Sequence, residues 1–443
     1  MLPNLGSSRR VRFFAFTSFY VAQGLPIGLI TVALPAWLAS NGTGAGDVAN
    51  FVAITSLPWA FKLFAGPIMD RFRFPTLGSR RPWVMLAQGG LVASLFGLAV
   101  LGGSPSELSL LITSCFVINC FAAVQDVAVD GMAIEVLPAD ERGRANALMA
   151  FGQVAGFSGA GALCGWTLTR FGLSGTALFL ALGTVIILAI AVALREREGE
   201  KLLPWSDGAA HQDGRAHEVS WRAICVNIFR VLILPASLVL ILVTLLWRIS
   251  HGIFVTAAPV ILTQELGWEL SDYTNWASIS SFVAAIIGIL VGPYIDRHGS
   301  RAIQSVGLIF CGLIFLSFWL TTDWWSNRTV WIVGLFAANL GLQIAFITLI
   351  AIHMTICWGK VAATQFAIYM AWANLARSIG AKLYGELSPY LELGQESLLM
   401  ALLFLLGAAL LALVNLKRHQ ESLNRMKAAE PTEDVVVDIP ARY

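Results

Sequence analysis

Long apolar stretches recur along the whole chain and indicate its fold class. A helix of about 20 mostly apolar residues crosses a hydrocarbon core about 30 Å thick, and twelve stretches of this kind are present. They run over Phe13–Leu38, Val48–Met69, Trp83–Leu101, Leu108–Val136, Ala145–Leu168, Thr176–Leu194, Val231–Leu262, Trp276–Ile295, Ile303–Leu320, Val330–Ile356, Ala362–Leu383 and Leu398–Leu416. The pattern predicts an all-α membrane protein with twelve transmembrane helices, numbered below as spans 1 to 12.

The longest polar stretch between spans divides the chain into two halves of six spans each. We therefore expect an N-terminal bundle over residues 1–194, a cytoplasmic linker over 195–230 and a C-terminal bundle over 231–417. The polar tail over 418–443 is expected to form a short amphipathic turn followed by disorder. The segment GPIMDR that ends span 2 returns as GPYIDR at the end of span 8, 226 positions later. This duplication predicts two halves related by an axis along the membrane normal.

Composition and charge placement narrow the classes of function. The chain is 57% hydrophobic and 13% charged, with a mean hydropathy of +0.72, which excludes a water-soluble globule. A net charge of +2 gives no field that would hold nucleic acid. Most Lys and Arg residues lie in the connections on the side of the two termini, so the positive-inside rule places both termini in the cytoplasm. The cysteines form no CxxC pair, and neither a metal site, a cofactor site nor a nucleotide-binding motif is expected.

A loop motif follows spans 2 and 8. The pattern Gly-x-x-x-Asp-Arg is followed by Gly299 and Arg301 in the second half and, after an insertion, by the segment 78–81 in the first. Glycine permits close helix approach, and an aspartate at a helix end can pair with bases in one conformation and release them in another. The motif predicts a conformational latch, although a static anchor that fixes topology would use the same residues. The candidate latch residues are Gly66, Asp70, Arg71, Arg80, Arg81, Glu135, Arg142, Arg144, Gly292, Asp296, Arg297 and Arg301.

The loop motif resembles the signature of the major facilitator superfamily, and this resemblance covers nearly the whole chain. The patterns Pro58-Trp59-x-x-Lys62-x-x-x-x-Pro67-x-x-Asp70-Arg71 and Gln125-Asp126-x-x-x-Asp130 further resemble one branch of that superfamily. This branch contains the AmpG muropeptide permeases, the acetyl-CoA transporters and the RhtX/FptX-type siderophore importers. The resemblance implies two six-helix bundles related by a pseudo-two-fold axis, in a bacterial inner membrane. The chain departs from the AmpG pattern at Ser79 and by having fewer spans.

The same resemblance implies a secondary active transporter that works by alternating access. It implies proton-coupled import of a sizeable polar compound, with a siderophore or a muropeptide as the leading substrates. Proton-driven efflux and acetyl-CoA transport use the same architecture and stay open, and a non-transporting membrane sensor is an alternative of another class. An enzyme is not expected, because the spans hold no convergent nucleophile and base. The expected partners are the lipid bilayer, a small polar substrate and protons, and the expected state is a monomer.

Charged residues inside the spans indicate where proton coupling would occur. Asp126 and Asp130 are four apart on span 4 and share a helix face, and Lys62 on span 2 lies at an overlapping depth. We expect Lys62 to pair with one aspartate and to leave the other able to take a proton. The structural alternative is that the three residues merely brace spans 2 and 4.

Basic and amide residues inside the spans indicate where a substrate would bind. Arg248 and His251 share a face of span 7, and Arg377 and Asn374 lie on span 11. These groups face the acidic span 4 and would suit a substrate that carries carboxylates or phosphate. The alternative for Arg248 is a structural pair with an unidentified acid. The amides near mid-depth could contact substrate or could equally join helices; they are Gln23, Gln125, Asn339 and Gln343.

Overall fold

Helices form almost all of the structure. The computed structural model describes residues 4–6, 8–72, 74, 76–102, 105, 107–138, 141–208, 221–358 and 361–428. Their α-helices are α1 Arg9–Gly28, α2 Leu34–Ser40, α3 Ala45–Phe61, α4 Ala65–Arg71, α5 Arg81–Leu101, α6 Leu108–Val136, α7 Arg142–Ala193, α8 Trp221–Leu232, α9 Pro235–Val260, α10 Leu270–Ile289, α11 Gly292–His298, α12 Ser300–Leu320, α13 Arg328–Ile356, α14 Ala362–Leu387, α15 Gln395–Leu411 and α16 Leu416–Ala428. In this part of the chain, bridges between extended residues are limited to two isolated pairs, so the predicted all-α fold is confirmed.

Short turns of other helix types join several of these elements. A π-helical turn over Leu29–Ala33 makes α1 and α2 continuous, and a second one over Ile261–Glu265 extends α9. A 3-10 turn over Lys62–Phe64 links α3 to α4. Two more 3-10 turns, Thr322–Trp324 and Ser388–Tyr390, lie in connections near the ends of α12 and α14.

Each of the twelve predicted spans consists mostly of helix. By length and apolarity alone, eight helices within the described residues are able to cross a membrane, or nine if the bent pair Gln395–Leu411 and Leu416–Met426 is one span. The 52-residue α7 contains both span 5 and span 6. Its backbone breaks at Gly172, where φ is +65°, a conformation that glycine adopts without a steric penalty. The count of twelve spans therefore stays a prediction.

The linker and tail contain more helix than their polar sequences predict. α8 occupies the end of the linker, and α16 corrects the expectation of a short turn followed by disorder over residues 418–428. The physical reason is an apolar face on α16: Leu423 is 6% exposed and packs with Val231, Trp358 and Val361. Residues 209–220 of the linker and 429–443 of the tail lie outside the described residues.

The two halves repeat one close helix crossing. A Cβ atom added to Gly28 on α1 would lie 2.3 Å from the carbonyl oxygen of Phe157 on α7. A Cβ atom added to Gly252 on α9 would lie 2.1 Å from the carbonyl oxygen of Arg377 on α14. Only glycine allows backbones to approach this closely. Equivalent glycines thus pack span 1 on span 5 and span 7 on span 11.

The halves meet at one end of the molecule, opposite the Gly-x-x-x-Asp-Arg loops; we call this the closed end, and the other the loop end. At the closed end, the side-chain amide of Gln264 donates to the carbonyls of Ala39 and Thr43 at 2.8 and 2.7 Å. One hydrophobic core there contains residues of both halves, whereas a second core near the loop end contains residues of the first half only. In the described residues, α6 and α13 pack mainly within their own halves. The described contacts between the halves run from the closed end along α3 and α14 as far as the 3-10 turn Lys62–Phe64, which also contacts α14.

Gly165 tests whether small residues keep the closed end shut. A Cβ atom added there would lie 1.9 Å from Oγ1 of Thr274 on α10, so we expect Gly165→Val to push the halves apart. The measurement is maleimide labelling of Val32→Cys, a position 7% exposed at this end, with the native cysteines replaced by serine. Labelling should become about tenfold faster, which corresponds to a shift of about 1.4 kcal/mol toward the open state.

The matched control is Gly159→Val on the same helix, where an added Cβ atom meets no atom within 4 Å. It should label at the parent rate. Equal labelling of the Gly165 and Gly159 variants would show that contact at this end does not control access.

Candidate functional site

A carboxylate and a lysine form an ion pair inside the first half. Asp126 on α6 accepts from Lys62 Nζ at 2.5 Å with one carboxylate oxygen, and from the amide of Gln23 with the other. The side chain of Asp126 is 7% exposed. The 3-10 turn after α3 positions Lys62, whose ammonium lies 5.6 Å from the centre of the Trp59 ring. The aspartate that pairs with Lys62 is thus Asp126, and both of its oxygens are engaged.

Asp130, one turn further along α6, has a different environment. Its carboxylate accepts a hydrogen bond from the hydroxyl of Tyr20 and forms no ion pair within the described residues. Tyr20 did not stand out in the sequence. Tyr20 and Gln23 are three residues apart on α1 and both face α6, and this spacing could have indicated Tyr20. Asp130 can gain a proton without breaking an ion pair, whereas Asp126 cannot.

Two arginines form a basic cluster in the second half. Arg248 on α9 is 4% exposed and donates to the carbonyl of Ala373 at 3.0 Å and to the side-chain oxygen of Asn374 at 3.3 Å. Its guanidinium also lies 3.0 Å from Nδ1 of His251. Across the described chain, no carboxylate forms an ion pair with Arg248 or with Arg377. The unidentified acid considered for Arg248 is therefore not found among these residues.

Side chains of α14 connect the two clusters across the boundary between the halves. Asn374 donates to the carbonyl of Trp59 at 3.1 Å, and Arg377 donates to the hydroxyl of Ser56 at 3.2 Å. Trp59 in turn lies beside Lys62. The acidic and basic clusters therefore form one polar region, called the central polar region below, to which both halves contribute.

Three of the predicted amides form contacts between helices. Gln125 donates to the carbonyl of Phe19 on α1 at 2.8 Å, and Asn339 on α13 donates to the hydroxyl of Ser280 on α10 at 2.9 Å. Gln343 packs against α10, where it would contact a Cβ atom added to Gly288. The structure thus places Gln23, but not these three amides, in hydrogen-bond contact with the charged residues of the central polar region.

The candidate latch of the first half is engaged. Arg80 Nε donates to Glu135 Oε1 at 2.9 Å, which ties the loop to the end of α6. Arg81 is 2% exposed and donates to the backbone carbonyls of Ala191 and Val192 on α7 at 3.1 and 2.6 Å. Arg80 and Arg81 therefore hold the loop against two different helices.

The other latch candidates are less closely engaged or undescribed. Arg144 and Arg297 are exposed, while Arg301 donates to the carbonyl of Ala412 at 2.7 Å. The tight helix approach expected at Gly66 is absent, because an added Cβ atom would lie 3.9 Å from Val127, an ordinary contact distance. The positions whose side chains lie outside the described part of the structure are Asp70, Arg71, Arg142, Gly292 and Asp296.

A linker residue that the sequence did not single out completes the first latch. The Glu196 carboxylate accepts the backbone N–H groups of Ser79 at 2.8 Å, of Arg80 at 2.7 Å, and of Arg81. These donors have no partner within α5, because they precede or begin its first turn. Burial raises the pKa of Glu196 to about 7, against the lowering effect of the backbone N–H groups. A lone glutamate in a polar linker carries no pattern that would have revealed this role.

A second ion pair that the sequence did not reveal joins α1 to α7. The guanidinium of Arg12 donates to both oxygens of Glu141, at 2.8 and 2.6 Å. It also donates to the backbone carbonyl of Leu5 at 2.8 Å. Such bidentate pairs are geometrically specific, so this pair fixes where α1 begins relative to α7.

Comparisons with known proteins point to one family. The family model described as Major Facilitator Superfamily matches residues 13–381. Anhydromuropeptide permease of Escherichia coli K12 is 22% identical over 360 residues, which cover 80% of this chain and 70% of that protein. A Rickettsia conorii protein named AmpG 4 is 23% identical over 383 residues, which cover 83% of this chain and 87% of that protein. The crystal structure of a POT family transporter in complex with 5-aminolevulinic acid matches 94% of this chain and 98% of its own, with a TM-score of 0.69 and 12% identity.

Glu196 should make stability depend on pH in a specific direction. Its pKa in the folded protein is raised above the ordinary 4.5 to about 7, so its contribution to stability is fully present below pH 4.5 and is lost as the pH rises through about 7. Glu196→Gln keeps an acceptor oxygen but cannot titrate. The melting temperature of the parent should therefore fall relative to that of Glu196→Gln between these two pH values.

The matched control is Glu198→Gln, an exposed linker position two residues away, which should follow the parent at every pH. A melting-temperature difference between Glu196→Gln and the parent that stays constant over the whole range would contradict the role assigned to Glu196.

Proposed function

The chain belongs to the major facilitator superfamily, and from this premise we propose that it is a proton-coupled importer of muropeptides. It is a secondary active transporter, as its family and its permease relatives indicate. The further steps, that the substrate is an anionic muropeptide, that protons drive uptake and that the termini are cytoplasmic, are parts of the proposal. The observation that carries it is that the buried Arg248 and the partly buried Arg377 have no carboxylate partner among the described residues.

The basic cluster supports an anionic substrate. Removing a charge from water costs several kcal/mol unless a partner compensates for it. Neutral dipoles surround Arg248, and a hydroxyl faces Arg377, so neither guanidinium has its full counter-charge among the described residues. A substrate carboxylate between them would provide that charge through charge-assisted hydrogen bonds. A muropeptide, which is a sugar bearing a short peptide, carries carboxylates and many neutral polar groups.

The acidic cluster supports proton coupling through Asp130. Lys62 and Gln23 hold both oxygens of Asp126, which makes it a fixed negative charge. Asp130 has one hydroxyl partner and is only partly buried, so in the proposed cycle it exchanges a proton with water. Protonation of Asp130 changes the net charge of the central polar region without dismantling the Lys62 pair. Protonation of Asp130 and binding of a substrate anion would thus each lower the free-energy cost of the other.

The first experiment measures uptake of labelled anhydromuropeptide and labelled siderophore into the same proteoliposomes. We expect anhydromuropeptide alone to accumulate, and to do so only with an imposed proton gradient. Arg248→Gln and Arg377→Gln should each lower uptake at least about tenfold, because each removes a charge-assisted hydrogen bond.

Arg170→Gln, at an exposed position on α7, is the matched control and should transport as the parent does. Uptake of siderophore instead would contradict the proposed substrate. Export of the muropeptide would contradict the proposed direction of transport. Ligand binding without net flux of any compound would favour a sensor.

The second experiment separates coupling from binding with Asp130→Asn. The variant should still exchange labelled for unlabelled substrate across the membrane, since it keeps both arginines and the Lys62–Asp126 pair. Accumulation driven by a proton gradient should be lost. Asp130→Asn protein that still accumulates substrate with the parent's pH dependence would show that Asp130 is not the proton carrier.

A further inference from the structure

A cavity of about 840 Å³ lies at the loop end of the second half. Its walls are α11, the start of α12, the end of α13 and the first residue of α16. None of the residues of the central polar region lines it. It is therefore separate from the central polar region, although Arg301, a candidate latch residue, lines it.

One wall of this cavity is basic and rich in hydrogen-bond donors. α12 begins there, and the first N–H groups of a helix have no partner within it and carry partial positive charge. Arg301 and His298 line the same wall. Ser300, which is 8% exposed, also lines it, and its hydroxyl has no hydrogen-bond partner in the described part of the chain. No acidic side chain is among the lining residues that the structure describes.

Most of the rest of the cavity is apolar, apart from the hydroxyls of Ser305 and Thr355. Ile295, Ala351, Met354 and Leu416 line it, and Met354 is 62% exposed. A small inorganic anion would leave this apolar surface exposed to water. A compound with an anionic head and an apolar chain would cover both kinds of wall.

The first half shows what occupies the equivalent place. At the start of α5, which corresponds to the start of α12, the Glu196 carboxylate accepts three backbone N–H groups. Glu135 stands one residue before the end of α6 and pairs with Arg80. In the second half, Thr355 stands one residue before the end of α13 and lines the cavity with a hydroxyl. The position that an internal anion fills in one half is thus open to an external anion in the other.

We propose that this cavity binds a phosphate group at the start of α12, and that the phosphate belongs to an anionic lipid of the adjacent leaflet. The N–H groups of α12, Arg301 and the hydroxyl of Ser300 hold the phosphate. The apolar wall holds the first carbons of an acyl chain. The bound lipid replaces, in the second half, the anion that the linker supplies in the first. A free phosphate ion shares the head-group chemistry but uses only the polar wall.

The test measures lipid binding to delipidated protein by native mass spectrometry. Phosphatidylglycerol and phosphatidylcholine are titrated separately, and inorganic phosphate is added as competitor in a third arm. The first phosphatidylglycerol should bind at least about tenfold more tightly than phosphatidylcholine, as a charge-assisted contact predicts. Arg301→Gln should abolish that preference.

A second variant guards against a folding defect, because Arg301 also donates to the carbonyl of Ala412. Thr355→Glu changes an exposed position and adds to the cavity a carboxylate like that of Glu135. It should also abolish the preference while Arg301 stays intact. Arg425→Gln, an exposed base on α16 that does not line the cavity, is the matched control and should bind as the parent does.

The three arms give distinct outcomes. Loss of the preference in both cavity variants, with no competition by phosphate, supports a lipid in the cavity. Loss in both, with competition by phosphate at millimolar concentration, supports the phosphate site but assigns it to a free anion. An unchanged preference in Thr355→Glu protein that melts at the parent temperature would overturn the proposal.

Discussion

A charge inside a hydrocarbon layer must be compensated by another charge, by dipoles or by water, and the central polar region depends on this constraint. In the first half the compensation is internal, since Lys62 and Asp126 neutralise each other. In the second half it is incomplete, since Arg248 and Arg377 have only neutral partners among the described residues. The proposed function uses this imbalance: it assigns the proton to the first half and the substrate anion to the second. A fully paired interior would be more stable but would have nothing to bind.

Much of the fold could be predicted from the sequence, because membrane helices are long and their apolar pattern is strong. Every predicted span consists mostly of helix, and the repeated loop motif lies where two equivalent helices end. The positions of α8 and α16 could not be predicted, because their stability comes from packing on the bundle: Leu423 is apolar in a polar tail, and only its contact with Trp358 explains the helix. Short amphipathic helices are marginal without such contacts.

The candidate site shows the same division. Charged residues stand out in an apolar sequence, so Lys62, Asp126 and Arg248 could be chosen by type alone. Tyr20, which bonds Asp130, and Glu196, which accepts N–H groups of the first loop, did not stand out, because tyrosine and glutamate are ordinary residue types at these places in the chain. Gly66 shows the opposite error, since a motif glycine need not mark a close contact.

The placement of Glu196 also bears on how the two halves are connected. The linker begins by docking on the first half, through Glu196 and through the backbone bond from Lys201 to the Thr76 carbonyl. It ends in α8, which packs against α9 and α14 of the second half. The start of the linker thus packs on the first half, and its end packs on the second half. The covalent link therefore acts mainly by raising the effective concentration of one half around the other, so the bundles resemble the two subunits of a dimer whose dissociation has been prevented.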